Sequence, residues 1–130
     1  MASVFSRIIA RELPAYIVAE DDKHIAFLDI NPNALGHTLC VPKKETDKLF
    51  DLDQEAYLNL MQFSHRVATA LRQVVSCKRI GLSVIGLEVP HVHVHLIPLN
   101  EMADITFQKK TTVSKEAMET LAEKINAAFL

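Results

Sequence analysis

His91-Val92-His93-Val94-His95-Leu96-Ile97-Pro98 is the stretch that decides how this chain is read. Polar and apolar residues alternate with a period of two, the mark of a strand with unlike faces. His91, His93 and His95 share one face, and Val92, Val94 and Leu96 share the other. Pro98 closes the strand. A row of imidazoles makes a poor core, because each ring brings two nitrogens that need partners when buried. The row therefore asks for a chemical explanation. The preceding Gly86-Leu87-Glu88-Val89-Pro90 reads as a loop able to bring backbone N–H groups beside the rings.

Outward from that strand, Lys78 to Ile85 reads as a neighbouring strand with Ile80, Leu82 and Val84 on one face. Upstream lies a long helix. Asp51 and Gln54 have capping-box spacing, and Tyr57, Leu60, Met61, Ser64, Val67, Ala68, Leu71, Val74 and Val75 form one stripe over about six turns. Tyr16 to Glu20 and His24 to Leu28 read as a hairpin across the polar turn Asp21-Asp22-Lys23. Asp29 to Gly36 is loop, rich in turn formers. His37 to Pro42 is a third strand. Ser3 caps a helix predicted to Glu12, with Pro14 as its stop, and Ser114 caps a final helix with Met118, Leu121, Ala122, Ile125 and Phe129 inward. The segment from Asn100 to Thr112 has no clear pattern, and its position suggests a reach toward a partner's site in a dimer. Hairpins and segregated helices predict an α+β domain, a five-stranded antiparallel sheet with helices on one side.

The 130 residues fit one domain, and 49 % hydrophobic with 23 % charged residues is an ordinary soluble composition. A net charge of −2 without a basic stripe argues against gripping a nucleic-acid backbone. No apolar run approaches the roughly 20 residues of a membrane span. The first residues show no signal-peptide pattern, and two distant cysteines, Cys40 and Cys77, suggest no disulfide framework. A cytoplasmic protein without membrane or nucleic-acid partners is expected. His24 and His65 read as surface or boundary residues, and Lys43-Lys44 as a solvated pair.

Three readings of the histidine row stay open at this level. A metal could bind His91 and His93 with His37, but His91 and His95 lie about 13 Å apart along a straight strand, too far for one ion. The rings could be solvated on an exposed face. Or one ring could be a nucleophile: a neutral imidazole attacks phosphorus well when one nitrogen is free and the other is held as N–H by an acceptor.

The His-φ-His-φ-His-φ-φ pattern at His91 to Ile97, φ being apolar, resembles the signature of the histidine triad (HIT) family. Val4 to Ile9, Glu12 to Ala15, Glu20 to Asp22, Ala26 to Pro32 and Gly36 to Lys44 resemble its Hint branch block by block. The resemblance implies a homodimer with joined sheets. It implies hydrolysis or transfer of nucleoside monophosphates, with a purine nucleotide as ligand, through a nucleotidyl-histidine intermediate. No cofactor is implied. The middle histidine, His93, is then the nucleophile. His91 and His95 orient it, and His37 joins the network. Asp29 binds the ribose. Phe5, Ile8, Phe27, Leu28, Ile30 and Leu39 flank the base, and Glu88 lies beside the phosphate. Turn preference alone would make Asp29 an Asx-turn residue and His37 a strand start.

Two departures stand out. Some relatives carry a Cys-x-x-Cys near the N-terminus that holds zinc with histidines; here Ser3 and Ser6 occupy those positions, so no metal is expected. Where relatives have polar side chains in the loop before the triad, this chain has Leu87 and Glu88. Phosphate contacts should then come from backbone N–H groups and the histidines.

Overall fold

Five strands form one antiparallel sheet: β1 Ile17–Glu20, β2 His24–Leu28, β3 Thr38–Pro42, β4 Arg79–Ser83 and β5 Val94–Leu99, in the order β1-β2-β3-β5-β4. A computed structural model describes residues 2–129. Its helices are α1 Val4–Ile9, α2 Gln54–Val74 and α3 Lys115–Ala128, with 3₁₀ turns at Leu49–Asp51 and Met102–Ile105.

Strand register decides which side chains meet. Ile17, Phe27, Leu39, His95 and Ser83 stand opposite one another across the five strands. Ala19, Ala26, Cys40 and Val94 form the adjacent row. Directly paired residues share a face, and neighbours along a strand alternate. One face therefore presents Val18, Ala26, Leu28, Cys40, Val94 and Leu96 to α2 and α3, where they bury Leu60, Phe63, Val67, Leu71, Met118, Leu121 and Ile125. The other face gathers Ile25, Phe27, Leu39 and Val41 with Phe5 and Ile8 of α1. Helices thus cover both faces, not one. The short α1 brings two apolar side chains to the face that carries the histidines.

Several predicted boundaries move. Helix α1 ends at Ile9, before Glu12, and Arg11 takes a left-handed φ of 63° ahead of Pro14. Helix α2 starts at Gln54 with Asp53 as its cap, whose carboxylate accepts from Ala56 N–H at 2.8 Å. Asp51 is spent in the preceding 3₁₀ turn. Phe63 and Ala70 join the buried stripe of α2. His24 is buried, not superficial: it stacks on Phe63 at 5.0 Å, with Nδ1 3.0 Å from Asp21.

The histidine strand is also shifted. Strand β5 begins at Val94 and runs through Pro98 to Leu99. Its last rung with β3 is Cys40↔Val94. Pro42 has no N–H to continue the ladder, and the chain from His91 to His93 leaves the sheet, with Val92 N–H donating to Thr46 O at 2.7 Å. Gly36 turns the β2–β3 connection at φ 97°, against α2; a Cβ there would stand 2.9 Å from Val75 Cγ2. That close approach places His37 at the mouth of β3.

Replacing Asp53 by Ala should lower unfolding free energy by about 1 kcal/mol through loss of the helix cap, and Asp51→Ala by only a few tenths. Urea titration of both variants checks this, and equal losses would contradict the assigned cap.

Candidate functional site

The protons of the four central histidines follow from neighbours whose hydrogen-bonding sense is fixed. Pro42 O can only accept, so His91 carries its proton on Nε2, 2.7 Å away. His91 Nδ1 then accepts from Ser3 Oγ–H at 2.7 Å. The carbonyl of His91 in turn accepts from His93 Nδ1–H at 2.8 Å, which leaves the lone pair of His93 on Nε2. Asn33 N–H donates to His37 Nδ1 at 3.0 Å, so His37 carries its proton on Nε2. That N–H donates to His95 Nδ1 at 2.9 Å, and His95 holds its own proton on Nε2. These tautomers require neutral rings. Burial favours that state in all four: it pushes His37 down to about 3 and His95 down to about 4, and lowers His91 and His93 as well.

Support for His91 reaches the surface of the domain. Glu45 Oε1 accepts from Ser3 N–H at 2.7 Å and from Ser6 Oγ–H at 2.7 Å, and these bonds hold its carboxyl down to about 2. Ser3 Oγ also accepts from Ser6 N–H, the cap bond of α1. Ser3, Ser6 and Glu45 thus form a hydrogen-bonded cluster that ties α1 to His91. Through α1, Phe5 is set edge-on against His93, with ring centroids 4.9 Å apart.

His93 and His95 open into a cleft of about 480 Å³. It is lined by Phe5, Asp29, Asn31 and Leu39, by the loop from Ile85 to Val89, and by Thr106, Phe107 and Lys110. Asp29 Oδ1 accepts from Asn31 N–H at 2.8 Å, and burial raises the Asp29 carboxyl above its ordinary range. Glu88 faces the cleft from its exposed loop.

The predicted residues divide into those that line the cleft and those behind it. His93, His95, Asp29, Phe5, Leu39 and Glu88 line the cleft. His91 and His37 sit behind it as hydrogen-bond partners, and Phe27 and Ile8 back Phe5 and Leu39 from within the apolar cluster. Leu28 belongs to the opposite face: it pairs with Thr38 in the row that packs under α2 and α3. Ile30, one residue past Asp29, is 80 % exposed and stands outside the cleft wall.

Sequence reading missed Phe107, Lys110, Asn33, Asp104 and Glu45. Within the segment from Asn100 to Thr112, Phe107 packs against the histidines of its own chain. Phe107 sets its ring edge-on against His95 at 4.8 Å and His37 at 5.8 Å. Asn33, fully buried, donates its side-chain N–H to Asp104 O at 3.0 Å while its backbone N–H holds His37. The one local signal was the run of turn-forming residues around Asn33; nothing periodic marks the others. A metal-like grouping also appears, though not the one considered from sequence. Asp29, His37 and His95 bring one ligand atom each within 4.8 Å of one another, with His37 Nε2 3.6 Å from Asp29 Oδ2. The nitrogens of His37 are already satisfied by Asn33 and His95.

Comparison with known proteins gives this geometry its relatives. The pattern of the family described as "HIT domain" matches residues 10–102. An uncharacterized HIT-like protein of Borreliella burgdorferi is 33 % identical over 132 residues, covering 95 % of each chain. Adenosine 5'-monophosphoramidase of Saccharomyces cerevisiae is 37 % identical over 98 residues, 75 % of this chain and 62 % of its own. The crystal structure of a Hit-like protein from Bartonella henselae superposes with a TM-score of 0.84 at 33 % identity, covering 97 % of this chain and 95 % of the other.

The neutral rings make stability depend on pH. His37 and His95 stay unprotonated in the folded chain down to about 3 and about 4, but bind protons near pH 6.5 when unfolded. Between pH 6.5 and 4 the unfolded chain binds more protons, so stability falls as pH falls, by about 1.4 kcal/mol per pH unit for each ring in mid-window. Urea unfolding of wild type and His95→Asn at pH 7, 6 and 5 should show the steeper loss in wild type. Parallel pH profiles would refute the neutral assignment.

Proposed function

The chain belongs to the HIT family, and from that premise we propose that it is a nucleotide hydrolase or transferase acting at the α-phosphorus of nucleoside phosphoramidates, adenylates or dinucleoside polyphosphates. The observation that carries this reading is the single lone pair presented to the cleft by His93 Nε2, with Nδ1–H locked on the His91 carbonyl at 2.8 Å. A nucleophile needs an unprotonated nitrogen aimed outward and a second nitrogen that cannot rotate away. In the proposed first step His93 Nε2 forms a bond to the α-phosphorus and the P–N or P–O bond to the leaving group breaks. His93 gives its Nε2 lone pair to phosphorus and becomes a phosphorylated imidazolium cation, whose Nδ1–H the His91 carbonyl stabilises. His95, with its proton on Nε2 and His37 behind Nδ1, donates to a phosphate oxygen or to the departing atom. Water then breaks the P–N bond to His93 and releases the nucleoside monophosphate.

The rest of the cleft supports a nucleotide. Asp29 offers a carboxylate to two ribose hydroxyls. Phe5 and Leu39, backed by Phe27 and Ile8, supply an apolar slot for a base. Relatives at similar identity include an adenosine 5'-monophosphoramidase, which accords with an adenine nucleotide as ligand. A homodimer is part of the proposal: β4 is an open edge of the sheet and leaves Leu82 53 % exposed.

A second reading is a nucleotide-binding module with little turnover. Leu87, 89 % exposed, and Glu88 favour it, because neither offers the phosphate a hydrogen-bond donor from its side chain. Incubation with AMP-morpholidate distinguishes the two. Wild type should release AMP, and His93→Ala should be slower by on the order of 10³ or more. Equal, slow release by both, with AMP still bound in calorimetry, would replace the enzyme by the module.

A further inference from the structure

The charge of the cleft does not balance for an anionic ligand unless one residue supplies it. Among the described residues that line the cleft, Asp29 and Glu88 are acids, His93 and His95 are buried imidazoles, and Lys110 is the one lysine or arginine. Two carboxylates repel a phosphate, and the neutral rings bring no positive charge against it. The loop that precedes the triad adds an aliphatic side chain and one of those carboxylates.

Lys110 is held in an unusual way. Its Nζ donates to Asn33 Oδ1 at 2.8 Å and to Asn31 O at 3.2 Å, and it lies 5.0 Å over the ring of Phe107. All three partners are uncharged. Among the described residues Lys110 forms no salt bridge, whereas its neighbour Lys109 pairs with Glu101 at 2.7 Å and Asp104 at 3.4 Å, and Lys43 pairs with Glu20 at 2.8 Å. The ammonium of Lys110 is therefore positioned at the cleft without being neutralised. Its charge is felt by Asp29, His37 and His95.

The segment that presents it is built for position. Phe107 takes a left-handed φ of 64°, a costly conformation for an aromatic residue, and its ring covers His37 and His95 edge-on. Thr111 N–H donates to Pro32 O at 2.9 Å, and Asn33 joins the segment to His37. Strain at Phe107 is retained because the same turn seats the ring on the histidines and the ammonium beside them.

We propose that Lys110 is the phosphate-binding cation of this cleft, carried by the Thr106–Thr111 strap and supplying the charge that Leu87 and Glu88 do not. The inference rests on the nucleotide reading of the site. It narrows the ligand class to nucleotides with an anionic phosphate rather than bare nucleosides.

Calorimetry with AMP and with adenosine tests it on wild type, Lys110→Met and Lys110→Arg. Wild type should bind AMP more tightly than adenosine, and AMP affinity should fall as salt is raised. Lys110→Met should lose about tenfold or more for AMP, lose the salt dependence, and keep adenosine affinity. Lys110→Arg should retain most of both. Unchanged adenosine binding also reports that the variants are folded. If Lys110→Met binds AMP as wild type does, or loses AMP and adenosine alike, the cation role is overturned and the nucleotide reading stands. If wild type binds neither ligand, the nucleotide reading falls and this inference with it.

Discussion

The four central imidazoles present eight ring nitrogens, and the arrangement of this protein depends on giving six of them a fixed partner while Nε2 of His93 and Nε2 of His95 are left to the cleft. An unpartnered polar atom in such a place would cost on the order of 1–3 kcal/mol. The partners used for three of the rings are backbone groups that cannot change sense: the carbonyls of Pro42 and His91 accept, and the N–H of Asn33 donates. Each fixes one proton, and the ring-to-ring bond from His37 to His95 passes the assignment to the fourth. The chain of bonds leaves His93 Nε2 as the lone pair offered to the cleft.

That saturation explains features that look unrelated in the fold. Strand β5 stops short at Val94, so His91 can turn its Nε2 toward the carbonyl of Pro42, a residue with no N–H for the ladder. The six-residue α1 is too short to be stable alone. It is held by Phe5 and Ile8 on the apolar face, and by Ser3 and Ser6, whose hydrogen bonds with Glu45 and His91 fix its start. The same contacts set Phe5 against His93. On the other side, Asn33 anchors His37, Asp104 and Lys110 at once, which ties the strap to the histidine pair it covers.

Burial of the rings has an electrostatic consequence. Neutral histidines give an outward lone pair but no net positive charge, and Asp29 and Glu88 make the cleft wall acidic. Members of one family can share a histidine row and differ in where positive charge for a phosphate comes from. In this chain the candidate lies some fifteen residues beyond the triad, on a segment without secondary-structure periodicity.

Much of this was legible in the residues themselves. A period of two put His95 on one face and Val94 and Leu96 against the helices on the other, because pleated strands alternate whatever surrounds them, although His91 and His93 precede the strand itself. Capping chemistry located α1 and α3, and apolar spacing located α2. What depends on register was not legible. Leu28 and Ile30 sit beside Phe27 and Asp29 in sequence, yet the pleat turns Leu28 to the opposite core and the loop turns Ile30 to solvent. His24 was read as superficial because its shelter, Phe63, comes from a helix 39 positions away. Glu45, Phe107 and Lys110 carry no local pattern, and Asn33 only that of a turn; each acts through partners brought near by the closure of the sheet. The sequence by itself determined the histidine row, the strands and the helix caps, since alternation and capping are local. Only the tertiary structure decided which nitrogen of each histidine bears a proton and which lysine lines the cleft, because those depend on carbonyls, amides and charges distant along the chain.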